Sequence, residues 1–318
     1  MWLREGADGT VQSTMDLRRR SSYNSGMQAG TTVGVDIGGS GVRAAVVEAD
    51  GTLGVTVRCE LKEVTAGAIL TEVVRLVEPL KPARVGVGVP GFVRQGVVLG
   101  SPNLPDLADV ALGEVLQQRL GVPVAVHNDA NAATLGAWAR LGRPGDLLLL
   151  TLGTGVGGGV ISDGRLVTGA RGTAAELGHI FVGGDQACGC GGVGCLETWC
   201  GTAGLVKRVH ALGFDAHDAE DVLALAEREP AVEALLDEVR MALEHGLVTL
   251  LNTFAPEALA FAGGLSLARD VLEPAVHAAL ARCISASVAG LSVHWLGRAD
   301  ELAIAGAAGG WAPWEQRP

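Results

Sequence analysis

The 318-residue sequence has no apolar run approaching the ~18 residues needed to cross a bilayer. Its opening residues, MWLREGADGT, carry neither the apolar segment nor the cleavage site of a secretory leader. A cytoplasmic protein is therefore expected, with no membrane partner. Positive charge is also short: 24 Lys and Arg stand against 35 Asp and Glu, a net charge of -11. Such a field repels polyanions, which excludes non-specific attraction to nucleic acid or an anionic membrane. Cysteine is sparse as well, six in all, yet three of them fall within the eight residues CGCGGVGC, 188 to 195. A disulfide staple, a metal site and chance proximity are the three readings of that segment, and disulfides are rare in the cytoplasm. Apolar residues, by contrast, make up 48% of the chain. That is enough for a large core without staples, in a length that usually resolves into two domains.

Residues 1 to about 30 lack sustained periodicity and are rich in Ser, Gly, Gln and Asn, the composition of a disordered tail. Its Arg18-Arg19-Arg20 run reads as solvated, and Met27 offers an alternative start just before the first strand. Structure begins with TTVGVDIGGSGVRAAVVEADGTL. Two apolar, β-rich runs, 32 to 37 and 42 to 48, flank Gly38-Gly39-Ser40-Gly41, and a turn at Ala49-Asp50-Gly51 leads to a third strand. The same syntax returns over 147 to 167, LLLLTLGTGVGGGVISDGRLV, around Gly153-Thr154-Gly155. The two stretches form an internal repeat, one in each half of the chain. Neither is a phosphate loop or a dinucleotide fingerprint, because the glycines lie between strands and no helix follows them at once. Glycine turns alone need mean only tight turning. Two such turns, each with a hydroxyl residue and one beside Asp36, can offer backbone N–H nests for phosphate oxygens, with a carboxylate for hydrated Mg²⁺.

The rest alternates helix and strand. Helical spacing covers 66 to 78 and 109 to 120; strands are expected at 84 to 89, ended by Pro90-Gly91, and at 122 to 126. Asn128 or Asp129 suits the N-cap of an Ala-rich helix running to about Leu141. Two further helices, Asp218 to Glu229 and Ala231 to about Leu251, divide at Pro230, and a short strand then closes at Gly263-Gly264.

Taken in order, DIGGS, GVGVPG, HNDANAA, LTLGTGVGGGVI, AAELGHI, CGCGGVGCLE and AFAGGLS resemble the ROK family of bacterial sugar kinases, its glucokinase branch above all, over about residues 31 to 310. The resemblance implies an α/β, two-domain actin-like ATPase fold, of the ribonuclease H-like and hexokinase-like kind, with an interdomain cleft. It implies a small domain over about 31 to 132, joined by a C-terminal helix of about 300 to 318, and a larger domain over about 133 to 299. It implies a homo-oligomer, dimer or tetramer, acting on a sugar and Mg-ATP. His179, Cys188, Cys190 and Cys195 match the family's structural zinc ligands, a closed Cys₃His set with no open position for catalysis. Cys59, Cys200 and Cys283 are then small core residues. Gly91, Asn103, Asn128, Glu176, His179 and Glu197 match sugar-contacting positions, with Asp129 as the base that accepts the sugar hydroxyl proton. Asp129's place at a helix N-terminus favours its ionised form and makes it a weak base. Asp36 would organise Mg²⁺, Gly38, Gly39, Ser40, Gly153, Thr154 and Gly155 would hold phosphates, and Gly263 and Gly264 would line the nucleoside pocket. The chain differs from many members at Gly41 and at Pro105-Asp106, and DIGGSGV is also similar to polyphosphate-using relatives. A kinase for N-acetylglucosamine, N-acetylmannosamine or fructose stays open. The family's repressor branch is the reading from another class, and about 30 residues before the first strand are too few for its DNA-binding domain.

Overall fold

The computed structural model describes residues 30–309. The expected tail with Arg18 to Arg20, Met27 and the end of the last helix lie outside the described residues. Residues 31–309 belong to one compact unit.

The first half opens with an antiparallel meander, β1 (Thr32–Gly38), β2 (Gly41–Val47) and β3 (Leu53–Glu60). Helix α1 (Ala66–Val77) then leads to β4 (Arg84–Val89), which pairs parallel to β1. Thr65 starts α1 by accepting the Ala68 N–H, and Ile69, Leu70, Val73, Leu76 and Val77 bury its apolar stripe. A small hairpin, β5 (Phe92–Arg94) and β6 (Val97–Gly100), precedes α2 (Leu112–Leu120) and β7 (Val124–Asn128). The helix begins three residues later than its periodicity suggests, and β7 is displaced toward the C-terminus of the expected 122 to 126. The displacement arises because Gly121, at φ +69°, ends α2, and Pro123 lacks the N–H a ladder needs. Helix α3 (Asp129–Arg140) closes the half.

The second half repeats the plan. The meander is β8 (Leu147–Leu152), β9 (Val156–Ser162) and β10 (Arg165–Leu166), followed by α4 (Leu196–Cys200), α5 (Thr202–Ala211), α6 (Ala219–Ala226) and α7 (Pro230–Phe254). Pro230 occupies the first turn of α7, where the absent N–H costs nothing. Strand β11 (Ala258–Ala262), α8 (Arg269–Arg282), β12 (Ser292–Trp295) and α9 (Ala299–Gly309) complete it. The two five-stranded sheets have matching orders, β3-β2-β1-β4-β7 and β10-β9-β8-β11-β12. The repeat seen in two glycine turns is thus a repeat of topology.

Each half ends in a helix that serves the other half's sheet. Ala132, Ala133 and Leu135 of α3 pack with Leu147, Leu149 and Ile161 of the second sheet. In return, a Cβ at Gly34 of β1 or Gly86 of β4 would run into the carbonyls of Ile304 and Ala307 on α9. The two helices meet where Gly306 approaches Ala132 and Gly136. Bare glycine backbone allows the close approach at each contact. No helix among the described residues is long and apolar enough to cross a membrane.

Candidate active site

Parallel strands deliver residues to their carboxyl ends, where open α/β sheets bind ligands. Asp36 lies near that end of β1, Gly91 follows β4, Asn128 ends β7, Gly153 follows β8 and Gly263 follows β11. Asn128 is the N-cap of α3: its Oδ1 accepts the Asn131 N–H at 3.0 Å, while its Nδ2 donates to the Gly91 carbonyl at 2.9 Å and to Asp129 Oδ1 at 3.1 Å. Asp129 is the first residue of the helix and also accepts the Ala130 N–H at 2.9 Å.

Burial pushes the Asp129 carboxyl upward, and the hydrogen bonds from Ala130 and Asn128 only partly oppose it. The helix N-terminus, which favours a weak base, is therefore outweighed by desolvation. Asp36 is pushed up to about 7, first by burial, then by the charges of Asp129 and Asp300, against the pull of Arg43. Glu176 is also raised, by lost solvent and by the charges of Asp129 and Glu197, with His179 opposing. Asp129 thus lies within electrostatic reach of both Asp36 and Glu176, and Glu176 within reach of His179 and Glu197. Asn103 is exposed in the loop before α2; no hydrogen bond or charge contact among the described residues ties it to that group.

The glycines separate into two kinds. Gly91 (φ +109°) and Gly263 (φ +96°) need a left-handed backbone, and a Cβ on them would meet the backbone of Gly100 and Ser101 or of Leu152. A Cβ on Gly155 would strike the Glu197 carboxylate. Gly39, Gly153 and Gly264 have neither a positive φ nor any atom within 4 Å of an added Cβ. Nothing inside the chain requires glycine there. Bare backbone at three strand ends leaves room for a ligand to approach its N–H groups.

Glu197 does more than sequence reasoning assigned to it. Its Oε2 accepts the Val156 N–H at 3.0 Å, and its Oε1 stands 3.6 Å from Cys188 Sγ. The Thr202 and Ala203 N–H groups bond the carbonyls of Gly153 and Thr154 at 2.9 and 3.0 Å. The second glycine turn is therefore gripped by the segment that follows the cysteines. Those cysteines lie on a ribbon closed by bridges Phe181–Cys195 and Ala187–Val193, with turns that use Gly191 and Gly194 at positive φ. His179 Nδ1, Cys188, Cys190 and Cys195 place their donor atoms within 4.8 Å of one another. Cys190 and Cys195 sulfurs are 3.7 Å apart and Cys188 Sγ is 3.5 Å from His179 Nδ1. Around a tetrahedral metal with bonds of ~2.0 to 2.3 Å, such edges measure roughly 3.5 to 3.8 Å, so the donors fit a zinc-sized ion.

The ROK family model matches residues 32–316. The chain belongs to the ROK family. It is 35% identical over 274 residues to a glucokinase of Streptomyces coelicolor, covering 77% of this chain and 86% of that one. It is 37% identical over 200 residues to an N-acetylmannosamine kinase of Salmonella arizonae, 58% of this chain and 67% of its relative. Among solved structures, a ROK family glucokinase from Streptomyces griseus in complex with glucose and AMPPNP superposes with TM-score 0.73 at 30% identity, covering 88% of this chain and 98% of that one. This ROK chain is a sugar kinase with the actin-like two-domain fold.

Arg43 and Asp300 are absent from the sequence reading, yet they form an ion pair beside Asp36. The two-residue turn Gly39-Ser40 carried a signal for Arg43, since it pairs Gly38 with Gly41 and hence Asp36 with Arg43. Asp300, 257 residues away from Arg43, left none.

Proposed function

We propose that this ROK chain is an ATP-dependent glucokinase that transfers the γ-phosphoryl group to O6 of glucose in the cytoplasm. The observation that carries the reading is that Asp129 lies within electrostatic reach of both Asp36 and Glu176. A base within reach of a donor-binding and an acceptor-binding carboxylate suits transfer between two substrates. Glu176, Glu197, Asn103 and Asn128 would hold sugar hydroxyls, since carboxylates and amides accept several hydrogen bonds from vicinal groups. The His179 nitrogen not turned to Cys188 would add another, and Gly91 would let the backbone approach. Gly38, Gly39, Ser40 and Gly153 to Gly155 would present backbone to the phosphates. Gly263 and Gly264 would line the nucleoside pocket.

Asp36 would hold the Mg²⁺ of Mg-ATP, which would supply charge neutralisation at the transferring group. Asp129 accepts the O6 proton, and the elevation of its pKa by burial makes it a stronger base than an exposed aspartate. Transfer of this kind depends chiefly on positioning and electrostatics. The lobe of about 31 to 132 with the C-terminal helix would close on the lobe of about 133 to 299, expelling water that could otherwise hydrolyse ATP. The Cys₃His set would hold a structural zinc, closed to solvent ligands.

Coupled kinase assays over a panel of hexoses, with ATP and polyphosphate as donors, test the assignment. Glucose with ATP should give the highest kcat/KM; a higher value with N-acetylmannosamine, or activity confined to polyphosphate, overturns it. Asp129→Asn keeps the volume and should lower kcat by about 10² to 10⁴. A folded variant turning over at the wild-type rate removes Asp129 from the chemistry.

A further inference from the structure

Glu176 hangs between two anchors that belong to different halves of the chain. On its C-terminal side, Leu177 is buried in the core of the second half, and Gly178 lies so close to β9 that a Cβ would run into the Val156 carbonyl. On its N-terminal side runs a strap, residues 168 to 175, which follows β10 and touches the first half. Gly172, at φ +72°, meets the β5–β6 hairpin there: an added Cβ would strike the Val93 carbonyl and stand 3.3 Å from Arg94 Cβ. Little slack separates this touch from Glu176. The Ala174 N–H bonds the Thr168 carbonyl at 3.1 Å, and Ala175 has φ +63°, a left-handed conformation that an alanine holds when its surroundings impose it. The hairpin, for its part, is a firm seat. Val98 is fully buried and its N–H bonds the Val110 carbonyl at 3.0 Å, while the Gly96 carbonyl at the tip accepts the Gly113 N–H of α2 at 3.0 Å. The hairpin directly follows Gly91, whose carbonyl takes the Asn128 amide beside Asp129. A path of contacts thus runs from Asp129 and Asn128 through Gly91 and Val93 to Gly172, and along the strap to Glu176.

We propose that Gly172 is a positioning residue for the sugar: by letting the strap rest on the backbone of the hairpin, it sets where Glu176 stands relative to Asp129. The inference rests on the sugar-kinase reading of those two carboxylates. Glycine serves at 172 for two reasons, the left-handed φ and the missing Cβ, and the two can be separated. Asn tolerates a left-handed backbone but brings a Cβ, so it keeps the turn and loses the close approach. A strap pushed off Val93 shifts Glu176 directly, because its other neighbour, Leu177, stays pinned in the second core. The glycine turns that would hold phosphate lie on other segments, 38 to 41 and 153 to 155. Loss of the contact should therefore weaken the sugar rather than the nucleotide.

The test uses the full chain as wild type, Gly172→Ala and Gly172→Asn. It measures KM for the best hexose acceptor and for ATP, calorimetric binding of that hexose alone, and Tm. Arg171 and Thr173 on either side are exposed, so both variants should fold with little change in Tm. Both should raise KM and Kd for the hexose by roughly tenfold to a hundredfold, the scale of a misplacement of about 1 Å, while KM for ATP holds. A wild-type KM for the hexose in Gly172→Asn would show that the left-handed turn alone matters, and overturns the proposal. Equal rises in KM for the hexose and for ATP overturn it too, as does a fall in Tm that accounts for the lost activity, since either makes Gly172 a residue of the fold. A wild-type chain that phosphorylates no sugar overturns the sugar-kinase reading itself and this inference with it, an outcome told apart from the others before any variant is made.

Discussion

Asp36 carries a stability cost that pH should reveal. In the folded chain its carboxyl keeps a proton up to about pH 7, whereas the ordinary value is 3.8. Folding therefore gains from the protonated group; that contribution is fully present below about pH 4 and is lost as pH rises through about 7. Asp36→Asn cannot ionise and should escape the loss. Its Tm should exceed that of the wild type at pH 8 and converge with it near pH 4, while phosphoryl transfer collapses at both. An equal Tm difference at the two pH values would show that Asp36 is not held against its charge. For Glu176, replacement by Gln keeps the shape but weakens charge-assisted hydrogen bonds of about 1.5 to 3 kcal/mol each. KM for the sugar should rise roughly tenfold or more, with KM for ATP little changed; equal effects on both would make Glu176 a structural residue. The site was legible in the sequence where short motifs carry it, as with Asp129 in HNDANAA. Its balance of forces was not, since the burial that raises Asp129 and the anion at Asp300 are made by chain segments distant in sequence.

At the scale of elements, strands and glycine turns could be read because alternation and punctuation are local. The three-strand meanders, β4 and α3 fall close to their expected places. Helices α4, α5 and α8 and strand β12 were not found, since α4 is five residues long and α8 contains Pro274 and has only a faint apolar stripe. The crossing of α3 and α9 was equally hidden, because small residues packed backbone to backbone leave no hydrophobic period. It does make a prediction. A Cβ on Gly306 would collide with the Ala132 carbonyl and the Gly136 N, whereas one on Gly39 meets nothing. Gly306→Ala should destabilise the chain by about 1 to 3 kcal/mol or more, read as a lower Tm, because neither helix backbone can yield without disturbing a sheet. Gly39→Ala should leave Tm unchanged and raise KM for ATP. A normal KM in Gly39→Ala would mean that the turn holds no phosphate.

Over the whole molecule, the cysteine ribbon and the second glycine turn are mechanically joined, although they lie in different segments. Glu197 touches Cys188 with one oxygen and the Val156 N–H with the other, and the two residues after Gly201 bond the turn's carbonyls. Whatever fixes the cysteines therefore also fixes the turn. A zinc ion on the Cys₃His set would add its binding free energy to folding, since the unfolded chain offers no preformed site. Metal analysis of the purified chain should find close to one zinc per chain, and a strong chelator should lower Tm. Cys190→Ser gives the sharper comparison. Cys190 is the exposed member of the set and adds little to the core, so without a metal its loss should hardly register. If zinc is bound, the variant should lose the ion, melt at lower temperature and show raised KM for both sugar and ATP, the second because the turn at Gly153 to Gly155 loses its brace. A zinc-free chain with undiminished Tm and activity, or a Cys190→Ser variant indistinguishable from wild type, would reduce the four residues to a cluster of inert thiols beside a histidine.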